Sequence, residues 1–325
     1  MARQYDLNLL IAGVQQGDTR SIARAISMIE DETDQARELL PRLFDVKQNA
    51  WIVGITGPPG SGKSTLTAVL AKRLAAAGNS IGILAVDPSS PFTGGAILGD
   101  RIRMSGLELN PAIYIRSMGT RGSLGGLAGK TAEALSVLQA AGKDIIIIET
   151  VGVGQSEIDI INVADTVLLV SVPGLGDDIQ TIKAGLMEIG DIHVVNKADR
   201  PGAERTVAEL ESMLAMNYNP EGHWDTPVLR TVAYSGEGAE TLLQKMQEHK
   251  EFIRSKYGHA RLRKRAKDLL DTMLGSRLLK IAQQSIGQAE MDCYYEEIAT
   301  AESNPCSIVQ GICDKILAPG ISTKC

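Results

Sequence analysis

Short apolar runs alternate with helix-period patterns through the middle of the chain. Seven runs rich in Ile, Val and Leu predict strands over Trp51–Thr56, Ile81–Val86, Ala112–Ile115, Ile145–Ile148, Thr166–Val172, Ile192–Val195 and Val228–Val232. Runs that are apolar at every position are typical of strands covered on both faces. The pattern therefore predicts an α/β fold with a mainly parallel sheet and helices on both faces.

Helical patterns flank this region on both sides. Near the start, Asp18 or Thr19 can cap a helix with one apolar face, formed by Ile22, Ile26 and Ile29. Because proline lacks a backbone N–H and clashes with the preceding turn, Pro41 is expected to interrupt the next helix. We expect three parts: an N-terminal helical segment over 1–48, an α/β domain over 49–250 and a C-terminal helical segment over 251–325.

A glycine-rich segment follows the first predicted strand. It reads Gly57-Pro58-Pro59-Gly60-Ser61-Gly62-Lys63-Ser64, is followed by Thr65, and leads into an Ala- and Leu-rich helical pattern. Glycines at these positions let backbone N–H groups close around phosphate oxygens, Lys63 reaches the β- and γ-phosphates, and the Ser64 hydroxyl is placed to hold Mg²⁺. The alternative is a turn with a solvated lysine. The strand–loop–helix context favours a nucleoside triphosphatase.

A second motif, Asn196-Lys197-Ala198-Asp199, follows the predicted strand Ile192–Val195. A carboxylate at Asp199 can accept both N1–H and the exocyclic amine of guanine. Adenine lacks that donor pair, so ATP would leave a buried acceptor unpaired. The backbone amides of the loop Thr231-Val232-Ala233 are expected to close over the base. The alternative is a polar turn; the order of the motifs favours guanine.

Acidic residues at strand ends indicate a magnesium site. Asp87 follows the second predicted strand, Glu149 follows the fourth, and Asp100 lies in a glycine-rich loop. Carboxylates beside a phosphate loop favour a hard cation that also binds phosphate oxygens. Each of the three could instead be an exposed loop carboxylate or a helix cap.

Three glycine-rich segments are expected to order with GTP and to be released after hydrolysis: Gly94–Arg103, Thr150–Glu157 and Gly174–Lys183. Rigid tight turns are the alternative interpretation.

Composition excludes several classes of protein. A net charge of −6 and a pI near 5.4 argue against nucleic acid as the main partner. No apolar run approaches the ~18 residues that span a bilayer, and the first residues lack a signal-peptide pattern, so a cytoplasmic location is expected.

The basic run 261–267 is interpreted as a solvated helix face rather than a binding site for an anionic partner. The cysteines match no zinc spacing and are expected to be free thiols; they are Cys293, Cys306, Cys313 and Cys325.

The motifs together resemble the MeaB/ArgK-type family of P-loop GTPases. The resemblance rests on the phosphate loop, the Asn196–Asp199 motif and further blocks, in order: Val86-Asp87-Pro88-Ser89-Ser90-Pro91, Gly99-Asp100-Arg101-Ile102-Arg103-Met104, Arg116-Ser117-Met118-Gly119-Thr120-Arg121-Gly122, Leu124-Gly125-Gly126-Leu127, Glu149-Thr150-Val151-Gly152-Val153-Gly154-Gln155-Ser156-Glu157 and Gly176-Asp177-Asp178 with Lys183. The last sixty or so residues match this family only loosely.

The resemblance implies a dimerisation-activated (SIMIBI-type) G domain in a homodimer joined partly through the C-terminal helical arm. Such proteins are GTP-hydrolysing chaperones of adenosylcobalamin-dependent acyl-CoA mutases, chiefly methylmalonyl-CoA mutase. They gate cofactor loading and protect or reactivate the mutase. Adenosylcobalamin is therefore expected as a cofactor of the partner mutase only.

The resemblance also implies roles for particular residues. Mg²⁺ would be surrounded by Ser64, Asp87, Asp100 and Glu149. Switches I and II would be 94–103 and 149–157, and Gln155 is a candidate to orient the attacking water. A third switch over 174–183, with Asp177 and Lys183, would let the mutase raise GTPase activity.

Two rival functions stay open at this point. A nickel-insertion GTPase shares the architecture but normally needs a Cys/His cluster near the nucleotide, whereas this chain has four His and keeps its Cys at the tail. The second rival is a signalling or scaffold switch that binds GTP-dependent partners without chaperoning an enzyme, or a transport-linked kinase or ATPase of the ArgK type, which fits poorly with a guanine-selecting motif. Nickel titration and phosphate transfer to protein would distinguish these functions from the chaperone.

Overall fold

A computed structural model describes residues 5–44, 50–87, 106–107, 109–119, 126–150, 163–174, 190–216 and 224–317. The strands are β1 (Trp51–Thr56), β2 (Ile81–Asp87), β3 (Ile113–Gly119), β4 (Ile145–Thr150), β5 (Thr166–Ser171), β6 (Ile192–Asn196) and β7 (Val228–Thr231). The helices are α1 (Leu7–Gln15), α2 (Thr19–Glu30), α3 (Asp34–Phe44), α4 (Lys63–Ala76), α5 (Gly126–Ala140), α6 (Ala203–Ala215), α7 (Ala239–Arg254), α8 (Lys256–Ile286), α9 (Gln288–Ala299) and α10 (Pro305–Leu317).

The strands form one sheet in the order β3-β2-β4-β1-β5-β6-β7, and every described pairing is parallel. All seven predicted strands are confirmed: β1 has the predicted bounds, and no strand end differs from its prediction by more than four residues. The predicted fold class is therefore confirmed. Because parallel strands all end at one edge, β1, β2 and β4 deliver their last residues to the same edge of the sheet.

Each sheet face is covered by its own helices, as the continuous apolar runs require. On β4, Ile146 and Ile148 face a core shared with α1, α2, α3 and α5, whereas Ile145 and Ile147 face a core shared with α4 and α7. Helix α6 packs over β5 and β6 through Leu210. Both faces of the central strands are thus dry, which explains why alternation with polar residues is missing there.

The N-terminal helices belong to the first of these cores. Asp18 caps α2, as predicted, by accepting hydrogen bonds from the backbone N–H and the hydroxyl of Ser21 at 2.8 and 2.7 Å. These bonds hold the pKa of the Asp18 carboxyl below its usual value. The expected break at Pro41 is wrong, because α3 continues through it to Phe44. Leu39 and Leu43 on either side of the exposed proline are fully buried, and their packing outweighs the lost helix bond.

Charged contacts also tie α2 to the sheet. Arg116 of β3 pairs with Glu30 and donates a 3.0 Å hydrogen bond to the hydroxyl of Ser27. Lys130 of α5 bridges Glu32 at 3.0 Å and donates to the Glu30 carbonyl at 3.2 Å. These cations also compensate the negative charge of Glu30 and Glu32 at the C-terminal end of α2, where the negative pole of the helix dipole disfavours carboxylates.

The chain forms two compact units, Met1–Leu269 and Leu270–Cys325. In the second unit, α9 and α10 contact each other where Lys315 pairs with Glu290 and donates to the Tyr294 hydroxyl at 3.0 Å. The described thiols, Cys293, Cys306 and Cys313, are free and exposed, as predicted. Among the described helices, none has both the length and the apolar character needed to cross a bilayer.

Candidate functional site: a phosphate loop beside a base-binding turn

The phosphate loop leaves the sheet at the end of β1, between β4 and β5. The first position of the loop requires glycine, because Gly57 has φ +138° and an added Cβ would lie 2.0 Å from the Val170 carbonyl oxygen. Gly62 has φ +91°, and an added Cβ would lie 2.4 Å from the side-chain nitrogen of Asn196. Glycine therefore serves two needs here, a left-handed backbone and close approach of neighbouring strands.

Lys63 lies within this loop rather than out in solvent. Its buried ammonium donates to the carbonyl oxygens of Gly57 at 2.7 Å and Pro58 at 3.0 Å. Helix α4 begins at Lys63 after Gly62, and no side chain in the described part of the protein caps it there. The first-turn N–H groups and the lysine thus give the loop a positive character suited to an anion.

The other residues predicted to bind phosphate occupy the same loop, except Thr65, which lies in the first turn of α4. Ser61 is fully buried, Pro58 is half-buried, and Pro59, Gly60 and Thr65 are exposed.

Two of the predicted magnesium ligands are in contact. The Ser64 hydroxyl donates to the Glu149 carboxylate at 2.5 Å, and both side chains are buried. On the neighbouring strand the backbone of Asp87 is one residue beyond the Val86–Thr150 pair. A hydroxyl and a carboxylate beside a phosphate loop are hard oxygen donors of the type that Mg²⁺ prefers, so these residues fit that ion.

Asn196 connects the phosphate loop to the predicted base-binding turn. Its side-chain N–H donates to the Ser61 carbonyl at 2.8 Å, while its oxygen accepts from the Thr231 hydroxyl at 3.2 Å and from the Ala233 N–H at 3.0 Å. The side chain is buried, so each bond is protected from water. The two predicted motifs and the Thr231–Ala233 loop therefore form one connected site.

The rest of the Asn196–Asp199 motif is shaped by the same loop. Lys197 has a left-handed backbone (φ 56°), and its ammonium donates to the Gly60 carbonyl at 2.7 Å. Asp199 is exposed, so its carboxylate is open to a ligand.

The amides predicted to meet the base have protein acceptors in this structure. The Val232 N–H donates to the Glu237 carbonyl at 3.0 Å, and the Ala233 N–H donates to Asn196. Their contact with a base stays a prediction.

Two features of the site were missed from the sequence. Thr150 was assigned to a segment that orders with nucleotide, but it is the buried last residue of β4, and its hydroxyl donates to that of Thr56 at 3.0 Å. Arg73 of α4 was not singled out, yet it donates to the Gly236 carbonyl at 3.1 Å and pairs with Glu240. The only sequence signal for this contact was the presence of an arginine late in the helix that follows the phosphate loop.

Several predicted site residues lie outside the described part of the chain: Asp100, Gln155, Asp177 and Lys183, together with the side chain of Asp87. Their assignments stay predictions.

The chain is similar to several known proteins. The family model described as "Methylmalonyl Co-A mutase-associated GTPase MeaB" matches residues 22–286. A protein of Pyrococcus abyssi named as a GTPase is 46% identical over 318 residues, which cover 97% of this chain and 98% of that protein. The methylmalonic aciduria type A homolog of Mus musculus is 37% identical over 262 residues, covering 75% of this chain and 63% of that protein.

A solved structure of a LAO/AO transport system kinase superposes with a TM-score of 0.73 and covers 97% of this chain and 99% of its own. Its sequence identity of 22% means that this likeness shows the fold alone.

Proposed function

Because the chain belongs to the methylmalonyl-CoA mutase-associated GTPase MeaB family, we propose that this P-loop GTPase serves as a chaperone of an adenosylcobalamin-dependent acyl-CoA mutase. Its GTP cycle would gate loading of the cofactor and protect or reactivate the mutase. The match to the family over residues 22–286 carries the proposal. The mutase class follows from the family description, and methylmalonyl-CoA mutase is the first client to test.

The reaction is hydrolysis of GTP to GDP and phosphate, in which water attacks the γ-phosphorus in line with the departing β-phosphate oxygen. Lys63, anchored by the Gly57 and Pro58 carbonyls, would hold its charge beside the phosphates as negative charge moves to the leaving oxygen. Mg²⁺, when bound, neutralises charge on the β- and γ-phosphates. Ser64 and Glu149 would hold the ion, with Asp87 and Asp100 as the remaining proposed ligands.

The guanine base would be read by Asp199, while Asn196 fixes the distance between the base turn and the phosphate loop. Gln155 is proposed to orient the water, and Asp177 and Lys183 to act in a third switch that the mutase orders. Without an inserted cation, a P-loop GTPase forgoes roughly 10³–10⁵ in rate. We therefore expect slow hydrolysis by the chain alone. We also propose a homodimer formed partly through the C-terminal helices.

The test mixes the full chain with a purified adenosylcobalamin-dependent methylmalonyl-CoA mutase and follows phosphate release from GTP. We expect acceleration by the mutase in wild type, and loss of that acceleration in Lys183→Ala with GDP affinity retained. Lys72→Ala, which removes an exposed lysine on α4, is the matched control. Absence of any acceleration by methylmalonyl-CoA mutase, together with no complex on gel filtration in the presence of a non-hydrolysable GTP analogue, would contradict the proposal for this client.

The rival functions predict other outcomes. Among the described residues, no group of three or more His, Cys, Asp or Glu side chains is arranged to hold a metal ion. Tight binding of nickel in a titration would favour a metal-insertion role instead. Transfer of radiolabelled phosphate from GTP or ATP to protein would favour a kinase.

A further inference from the structure

An aromatic ring stands exposed beside the base-binding turn. Tyr234 directly follows Ala233 and is 96% exposed, although both Thr231 and Ala233 are buried. In the described part of the chain, Tyr234 makes no side-chain hydrogen bond or ring contact that would hold its ring. An exposed aromatic ring next to a proposed base site is able to stack on a base.

The turn that carries this ring is held firmly. Val232 and Glu237 form an antiparallel bridge, and the Val232 carbonyl accepts from the N–H groups of Ser235 at 3.1 Å and Gly236 at 2.9 Å. From outside the turn, Arg73 of α4 donates to the Gly236 carbonyl at 3.1 Å. The backbone of Tyr234 is therefore fixed by its neighbours, and little conformational freedom beyond about two side-chain torsions remains to be lost when a ligand binds.

The turn also lies against the loop that carries Asp199. The Ala198 N–H donates to the Thr231 carbonyl at 3.0 Å, and the Ala233 N–H donates to Asn196 at 3.0 Å. Each of these two alanines is followed by an exposed residue. Asp199 follows Ala198 on one loop, and Tyr234 follows Ala233 on the other. Lys197, two residues before Asp199, donates to the Gly60 carbonyl at 2.7 Å.

A purine needs two kinds of contact, polar groups for its edge and flat apolar groups for its faces. Asp199 is suited to the edge, and an aromatic ring is suited to a face. We propose that Tyr234 stacks on the base of bound GTP or GDP and so positions the nucleotide. This inference rests on the proposed base site at Asn196–Asp199.

Stacking depends little on which purine is present, because every base has a π-face. Tyr234 therefore contributes affinity, while Asp199 contributes the choice of guanine. The two residues then respond differently to substitution, which makes their roles separable.

The first experiment measures the affinity of the full chain for Mg²⁺·GDP and Mg²⁺·IDP by calorimetry. Tyr234→Ala is expected to weaken both by about five- to a hundredfold, the range for losing one base–aromatic stack, with the GDP/IDP ratio unchanged. Tyr234→Phe keeps the ring and should recover most of the loss. Tyr295→Ala, an exposed tyrosine in the C-terminal unit, is the matched control.

The second experiment reports on stacking directly. Tyr234→Trp is expected to lose fluorescence on addition of GDP, because the base covers and quenches the exposed indole, whereas Trp51 and Trp224 alone give a smaller change in the wild type. A merely structural role for Tyr234 would not produce this signal.

The outcomes separate this inference from the site on which it rests. If Tyr234→Ala binds GDP within twofold of wild type while Asp199→Ala loses GDP, the base site is right and the stacking is overturned. If Asp199→Ala binds GDP as wild type does, the proposed base site is itself overturned. Equal losses in Tyr234→Ala and Tyr234→Phe would also overturn stacking, since the ring would then not be the contributing group.

Discussion

Replacing Asn196 tests whether one side chain couples the phosphate loop to the base turn. Asn196→Ala removes three buried hydrogen bonds, to Ser61, Thr231 and Ala233. Each such bond contributes roughly 0.5–1.5 kcal/mol net, and a buried group left unpaired costs about 1–3 kcal/mol. We expect a loss of about 3 kcal/mol in the free energy of unfolding, and a loss of GDP affinity because the two halves of the site are no longer held at one distance.

Asn196→Asp is the matched comparison, because it keeps the shape and both acceptor bonds. It loses the donor to Ser61 and points a carboxylate at that carbonyl oxygen. We therefore expect Asn196→Asp to keep the base turn attached while releasing the phosphate loop. Because the new carboxylate is buried and faces a carbonyl oxygen, Asn196→Asp should lower the free energy of unfolding at least as much as Asn196→Ala.

The assays are urea unfolding followed by circular dichroism, without nucleotide, and calorimetric binding of Mg²⁺·GDP. Asn196 would not couple the two loops if Asn196→Ala unfolds within 0.5 kcal/mol of wild type, about the scatter expected of a neutral surface substitution. Retained GDP affinity in a clearly destabilised variant would also contradict the coupling, since Asn196 would then have a structural role only.

Three further substitutions test other parts of the chain. Glu149→Gln should raise the Mg²⁺ concentration needed for half-maximal GTP hydrolysis by at least about 10–100-fold, because losing even an outer-shell partner of a metal ligand costs that much; an unchanged Mg²⁺ titration would remove Glu149 from the site. Asp199→Asn should lose GTP binding by roughly a hundredfold and gain xanthosine triphosphate, as competition assays would show; unchanged preference for GTP would contradict the assignment. Arg116→Ala should lower the free energy of unfolding by about 1–3 kcal/mol, because the nearly buried Glu30 carboxylate loses this partner. The cost is not larger because Arg116 itself is partly exposed to solvent. Glu30→Gln should cost less in the same urea experiment, and equal costs would argue against a role for the charge.

The sheet could be predicted from sequence because its signal is local. A strand such as β4 is buried on both faces, so every residue from Ile145 to Ile148 must be apolar, and the run is visible without knowledge of its neighbours. The phosphate loop and the Asn196–Asp199 motif were equally visible, since their spacing is itself the chemical requirement.

Other features depend on contacts between distant parts of the chain. The bond from Asn196 to Ser61 crosses 135 positions, and the Arg116–Glu30 pair crosses 86. No local pattern records such pairs. At Pro41 the local sequence predicts the wrong structure. Proline disfavours a helix interior, but burial of Leu39 and Leu43 outweighs that cost and α3 continues.

The shared core beneath the N-terminal helices limits how this chain can be shortened. Ile22, Ile26 and Ile29 pack in the same apolar cluster as Ile146 and Ile148 of the central sheet. A truncated protein beginning at residue 50 would keep every described residue proposed to contact the phosphates and the base, yet α5 alone of the four helices in this cluster would remain to cover that side of the sheet. Such a fragment is expected to aggregate rather than to work as a minimal enzyme, so the first three helices are as indispensable to it as the nucleotide pocket.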